Sequence, residues 1–197
     1  MVAGDTAKNL DELNEWLETL ELRDVLKWCL SVPGIAQVTS FGASGMVMLH
    51  EIHETLEEKI PVVFVDTLHH FPETLEFVKH VKHRYELDLH EFHCSFADTQ
   101  EEFEQIVNDS QLWLNDTATY DQFVKVEPLE RGLDTLNVKA WISGRRRDQG
   151  GERKNMRIVE VDEIDGRLKI NPLAFWTGSQ VWEYLRTHKV SNNPLYN

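Results

Sequence analysis

Ile35-Ala36-Gln37-Val38-Thr39-Ser40-Phe41-Gly42-Ala43-Ser44-Gly45-Met46-Val47-Met48-Leu49 is the stretch on which the fold turns. Ile35 to Phe41 reads as a strand. Gly42 to Gly45 reads as a small-residue turn. Met46, Val47, Leu49, Ile52 and Leu56 then recur at helical spacing. Next, Ile60-Pro61-Val62-Val63-Phe64-Val65 is an unbroken apolar run, the pattern of a strand covered on both faces, and it ends in Asp66-Thr67. Pro72 to Arg84 reads as a helix and Leu87 to Phe92 as a strand. Strand, helix, strand, helix, strand at this pace predicts an α/β fold with parallel pairing and crossover helices.

Outward from this block, Leu10, Leu13, Leu17 and Leu20 mark an earlier helix, with Asn9 and Glu12 spaced as a capping box. A short helix from Val25 to Leu30 stops near Pro33-Gly34, so residues 1–34 form an N-terminal helical arm. Downstream, Phe103 to Leu114 and Val126 to Leu136 look helical, and Ala140 to Ser143 is a short buried strand. Arg157 to Val161 and Arg167 to Ile170 flank Asp165-Gly166, a hairpin turn signal. Trp176-Thr177 opens a last helix through Leu185. No repeat or linker divides the chain, which reads as one domain.

The 197 residues carry a formal net charge of -14, which argues against a nucleic-acid-binding role. No apolar run approaches the roughly 20 residues that span a bilayer, and the N-terminus has neither signal nor transit character. Two cysteines, Cys29 and Cys94, read as reduced structural thiols of a cytoplasmic protein, without metal-site spacing. Against the acidic background, six of the 20 Lys and Arg residues crowd between Arg145 and Arg157. Such a run is either a solvated loop or an anion site.

Four segments are candidates for chemistry. At Ser40 to Gly45, a strand end meets a helix N-terminus, where backbone N–H groups and the helix dipole attract phosphate or sulfate. A tight βα turn needs small residues in any case. Asp66 and Thr67 stand at a strand's C-terminal end, where open α/β sheets bind ligands; an aspartate there also serves as a cap. Lys125 and Arg131, around Glu127, offer cations that either reach phosphate or pair on the surface. In Ser143-Gly144-Arg145-Arg146-Arg147-Asp148-Gln149-Gly150-Gly151-Glu152-Arg153, arginines supply bidentate contacts to oxyanions and glycines let the loop wrap closely. The pairs His69-His70 and His80 with His83 resemble metal ligands in composition only.

Taken in order, TSFGASG, VDTLHHFPETLEF, KVEPLERGL, WISGRRRDQGGER, LKINPLAFWTGSQVWEYL and NNPLYN resemble the phosphoadenylyl-sulfate (PAPS) reductase family, fungal type, from Val38 to Tyr196. The resemblance implies a three-layer, parallel-sheet, adenine nucleotide alpha-hydrolase-like fold with a modified pyrophosphate loop, over residues 35–197. It places Ser40, Phe41, Gly42, Ser44 and Gly45 at the phosphosulfate end, Asp66 and Thr67 at the nucleoside, and Lys125, Arg131, Gly144, Arg145, Arg146, Gln149 and Arg153 toward the phosphates. It implies reduction of PAPS to sulfite and adenosine 3′,5′-bisphosphate. A cysteine in a Glu-Cys-Gly-Leu/Ile-His segment attacks the sulfur, and thioredoxin or glutaredoxin cleaves the adduct. Tyr120 and Asp121 stand where iron–sulfur relatives carry paired cysteines, so no iron–sulfur cluster and no other cofactor is expected. The resemblance puts the family's attacking cysteine beyond Asn197, so these residues are expected to bind without the covalent step, and no catalytic residue is assigned among them. The resemblance allows a homodimer. Two other readings stay open: an FAD synthetase-like adenylyltransferase of the same fold, and a non-catalytic nucleotide-binding module.

Overall fold

A computed structural model of the chain describes residues 3–162 and 165–196. The arm's first two residues and positions 163 and 164, before the hairpin's Asp165-Gly166, lie outside the described residues. So does Asn197, the last residue of the NNPLYN segment and the point beyond which the attacking cysteine is expected. In chain order the elements are α1 (Ala3–Leu17), α2 (Leu22–Leu30), β1 (Ile35–Val38), α3 (Ala43–His50), β2 (Val62–Val65), α4 (Pro72–Tyr85) and β3 (Leu89–Phe92). There follow α5 (Gln100–Val107), α6 (Leu112–Asn115), α7 (Thr117–Asp121), α8 (Glu127–Thr135), β4 (Ala140–Ile142), β5 (Val159–Val161), β6 (Leu168–Ile170) and α9 (Gly178–Thr187).

One six-stranded sheet runs in the order β3-β2-β1-β4-β6-β5. Every pair is parallel except the β5–β6 hairpin. The order reverses between β1 and β4, and in open α/β sheets ligands bind outside the strand ends at such a switch point. The apolar runs explain the layering. β1 reads Ile-Ala-Gln-Val and β2 Val-Val-Phe-Val, with three of four residues buried in each, so helices must cover both faces. Met46, Val47, Met48 and Leu49 of α3 are all fully buried, and this helix is gripped on every side. Its N-terminus is therefore held rigidly against the switch point.

Several boundaries differ from the sequence reading. α1 begins well before Asn9, so Asn9 lies inside the helix and caps nothing. The predicted helix from Phe103 to Leu114 is two, broken where Asn108 adopts a left-handed φ of 53°. α3 starts at Ala43, so part of the expected turn is its first helical turn. Two single turns of π-helix, Glu51–Thr55 and Gln122–Val126, extend α3 and precede α8. The arm packs on the main core: Leu17, Val25, Leu26 and Cys29 join the cluster that holds α3 and the sheet. Buried Asn14 donates to the Val159 carbonyl (3.0 Å) and accepts from the Val159 N–H (2.9 Å), which covers the edge strand β5. Among the described residues, no helix is long and apolar enough to cross a membrane.

Candidate functional site

β1 and β4 are neighbours, so the loops that leave their C-terminal ends lie side by side. Between them opens a cleft of about 570 Å³, lined by Ser40, Gly42, Ser44 and Gly45 from the first loop and by Gly144, Arg145, Arg146, Gln149 and Arg153 from the second. Two glycines set the separation. A Cβ on Gly144 would stand 2.9 Å from Ser44 Cβ and 3.1 Å from the Gly45 nitrogen. A Cβ on Gly45 would stand 2.2 Å from Thr39 Oγ1. Only glycine lets the loops approach this closely.

The first loop presents donors. Intrahelical bonding in α3 begins with Met46 N donating to Gly42 O (3.0 Å). The N–H groups of Ala43, Ser44 and Gly45 therefore have no intrahelical acceptor, and no side chain caps them. With the dipole of α3, they give the cleft floor an anion preference of about 0.3–1 kcal/mol per charge. Phe41 organises the turn. It adopts φ 57°, its N–H donates to Thr39 Oγ1 (2.9 Å), and its ring is fully buried edge-on against Phe64. Phe41 was expected at the phosphosulfate end. Its side chain lies in the core instead, and Phe41 is not among the residues that line the cleft.

The second loop supplies positive charge. The Arg146 side chain is 13% exposed and pairs with Asp148 (2.8 Å), while its Nε is buried with no hydrogen-bond partner among the described residues. Such an unmet charged donor disfavours the site until an acceptor arrives. Asp148 also accepts from Gly178 N (2.5 Å), which ties the loop to the start of α9. Gln149 Oε1 accepts from Arg146 N (3.1 Å) and Arg153 NH1 (2.5 Å). Arg145 lies 5.6 Å from the Trp141 ring centroid. Burial, then the Arg153 charge, pulls its pKa below the ordinary arginine value. It stays protonated, so this is a crowded cation cluster that an oxyanion would relieve. Arg147 faces elsewhere: it donates to Met156 O (2.6 Å) and lies 4.0 Å from the Phe175 ring centroid.

Four other candidates stand apart from this cleft. Asp66 Oδ1 accepts from Leu68 N (2.8 Å) in a local turn. Thr67 Oγ1 accepts from His69 N (3.4 Å) in the same turn. Lys125 pairs with Asp121 (2.6 Å) and opens on a second cleft of about 700 Å³ with His69, His70, Trp113 and Tyr120. Arg131 is consumed by Glu127 (2.7 Å) and the His93 carbonyl, and clamps α8 to the end of β3. Conversely, the sequence reading missed Trp182 and Tyr196 as lining residues of the first cleft. Their rings meet edge-on at 6.3 Å. The tail reaches the cleft because buried Asn193 donates to Thr74 Oγ1 (3.0 Å). Tyr196 is thus the last described residue before Asn197, and it already stands at the cleft wall. Cys29 and Cys94 are both buried, and burial raises both thiols, Cys29 to about 12. Neither presents a thiolate near neutrality.

A cleft at the switch point of a mostly parallel sheet, floored by a helix N-terminus and walled by arginines, defines the class: an open-sheet α/β protein with its candidate site at the strand ends. Residues 34–197 match the phosphoadenosine phosphosulfate reductase domain, and the chain belongs to that family. It is 43% identical over 195 residues to phosphoadenosine phosphosulfate reductase of Emericella nidulans, covering 96% of this chain and 63% of that protein. Identity to the Saccharomyces cerevisiae reductase is 34%, over 96% of this chain and 76% of that protein. The crystal structure of PAPS reductase from Candida auris, a phosphate complex, superposes with a TM-score of 0.86 at 36% identity, over 96% of this chain and 90% of that one. FMN adenylyltransferase of Candida glabrata reaches 0.65 at 18% identity, over 100% of this chain and 71% of that one, a likeness of fold alone. The chain thus spans about two thirds of the length of its first curated relative.

Proposed function

We propose that this chain is the nucleotide-binding part of a cytoplasmic enzyme that reduces PAPS to sulfite and adenosine 3′,5′-bisphosphate, with thioredoxin or glutaredoxin as reductant. One observation carries the reading: three arginines, one with an unmet buried Nε, face the bare N-terminus of α3 across a cleft of nucleotide size. The phosphosulfate would rest on the amides of Ala43, Ser44 and Gly45. Arg145, Arg146 and Arg153 would take the remaining phosphate oxygens through charge-assisted bonds. The phosphate carried by the Candida auris relative is the kind of ligand this cradle fits.

Reduction requires a thiolate to attack the sulfur, with the bisphosphate leaving on the S–O electron pair; a dithiol then releases sulfite and becomes a disulfide. Buried Cys29 and Cys94 do not fit that role. The residues here therefore bind and neutralise charge, and neither cysteine is given the attack. A thermal-shift titration with adenosine 3′,5′-bisphosphate, beside a sulfite assay with PAPS and thioredoxin, tests the division. The 197-residue chain is expected to be stabilised by the nucleotide and to release no sulfite. Sulfite above background, or FMN-dependent pyrophosphate release from ATP, would overturn it.

A further inference from the structure

Away from the cleft, residues 94–124 carry seven carboxylates and no Lys, Arg or His. This segment builds a small core of its own from Cys94, Ala97, Phe103, Tyr120 and Val124, separate from the main one. Its outer side is a groove of about 390 Å³ lined by Phe96, Ile106, Val107, Leu112, Thr119 and Phe123. Thr119 is the one polar lining residue, and its hydroxyl already donates to Asp116 Oδ2 (2.7 Å). The groove thus offers a ligand apolar contact and no free side-chain donor. Of its lining residues, Ile106 is 54% exposed and Phe96 36%. Contiguous exposed apolar surface on a folded protein marks a contact site.

Charge identifies what covers it. Side chains from outside the segment meet only part of the rim: Lys125 pairs with Asp121, His69 stands 4.0 Å from Glu104, and His93 stands 3.7 Å from Asp98. Glu101, Glu102, Asp109 and Asp116 have no ion-pair partner among the described residues. We propose that this groove docks a segment of another protein that carries large aliphatic anchors flanked by Lys or Arg. Aliphatic side chains would fill the groove, and the basic flanks would meet the rim, giving steering and selectivity. A second copy of this acidic chain is disfavoured by the same rim.

Calorimetry of the chain with a 14-residue Leu/Lys amphipathic peptide tests this, with a Leu/Glu peptide of the same pattern as control. The Lys peptide is expected to bind one to one, at least tenfold tighter than the Glu peptide. Ile106→Asp is the decisive variant. It adds negative charge, so nonspecific attraction of a cationic peptide would strengthen, whereas loss of the anchor should weaken binding at least tenfold. Thermal melting and bisphosphate binding, both unchanged, would show that the variant is folded. Equal binding of the two peptides, unweakened binding by Ile106→Asp, or a dimer of the free chain that Ile106→Asp dissociates would each overturn the proposal.

Discussion

Gly45→Ala challenges the first loop with a single methyl group. The added Cβ would stand 2.2 Å from Thr39 Oγ1, far inside contact distance, in a segment where Thr39 is 7% exposed and Met46 to Leu49 of α3 are fully buried. Thr39 must rotate, and rotation breaks its bond to the Phe41 N–H. Overpacking of this kind costs about 2 kcal/mol, and the lost bond about 1 kcal/mol. Better helix propensity returns up to ~1 kcal/mol. The net loss is about 2 kcal/mol, or ~6 °C in Tm for a chain of this size. Urea denaturation of a double-mutant cycle with Thr39→Ala isolates the contact. In the Thr39→Ala background the hydroxyl is gone, and Gly45→Ala should be nearly neutral. A stabilised Gly45→Ala, or effects that add within about 0.5 kcal/mol, would refute the claim that this contact fixes the turn.

Arg146→Ala removes two charge-assisted donors from the cleft and should weaken adenosine 3′,5′-bisphosphate about 10–100-fold by calorimetry, with little change in Tm; unchanged affinity in both Arg146→Ala and Arg145→Ala would end the phosphate-clamp assignment. Tyr184→Phe should cost about 1–3 kcal/mol in urea denaturation, because Tyr184 OH donates to buried Glu51 (2.8 Å), whose other side-chain partner among the described residues is Arg23 at 3.4 Å. His53 has both ring nitrogens buried without hydrogen-bond partners among the described residues, and burial, then Lys59, lowers its pKa from 6.5 to about 4. Between those values the unfolded chain binds more protons, so this stability is complete above pH ~6.5 and falls as pH drops toward 4. His53→Leu should flatten that limb of the stability–pH curve, and an unchanged curve would refute the assignment.

The parallel core was legible because β1 and β2 are apolar runs at sheet length, with a small-residue loop between β1 and α3. The cleft-lining arginines were legible because a basic run in an acidic chain directly follows a short buried strand. Phe41 was not: no glycine announces its left-handed φ, so alternation beyond Val38 gives no warning that the ring turns inward. Lys125 and Arg131 each have a carboxylate four residues earlier, Asp121 and Glu127, and those visible pairs hold them away from the first cleft. The break at Asn108 sat in a plain turn signal, Asn-Asp-Ser, which the apolar residues on either side outweighed. Tyr196 and Trp182 had no readable role, since the tail reaches the cleft only through long-range contacts such as Asn193 with Thr74.

The ligand proposed for the cleft between the α3 N-terminus and the Arg145–Arg153 loop is a nucleotide with more than one phosphate group. Calorimetric titration of the chain with adenosine 3′,5′-bisphosphate against AMP tests this most directly. One site is expected, with the bisphosphate at least ~10-fold tighter than AMP, the worth of one added charge-assisted contact of about 1.5 kcal/mol. Equal affinities for the two nucleotides, or no saturable binding of either, would contradict it.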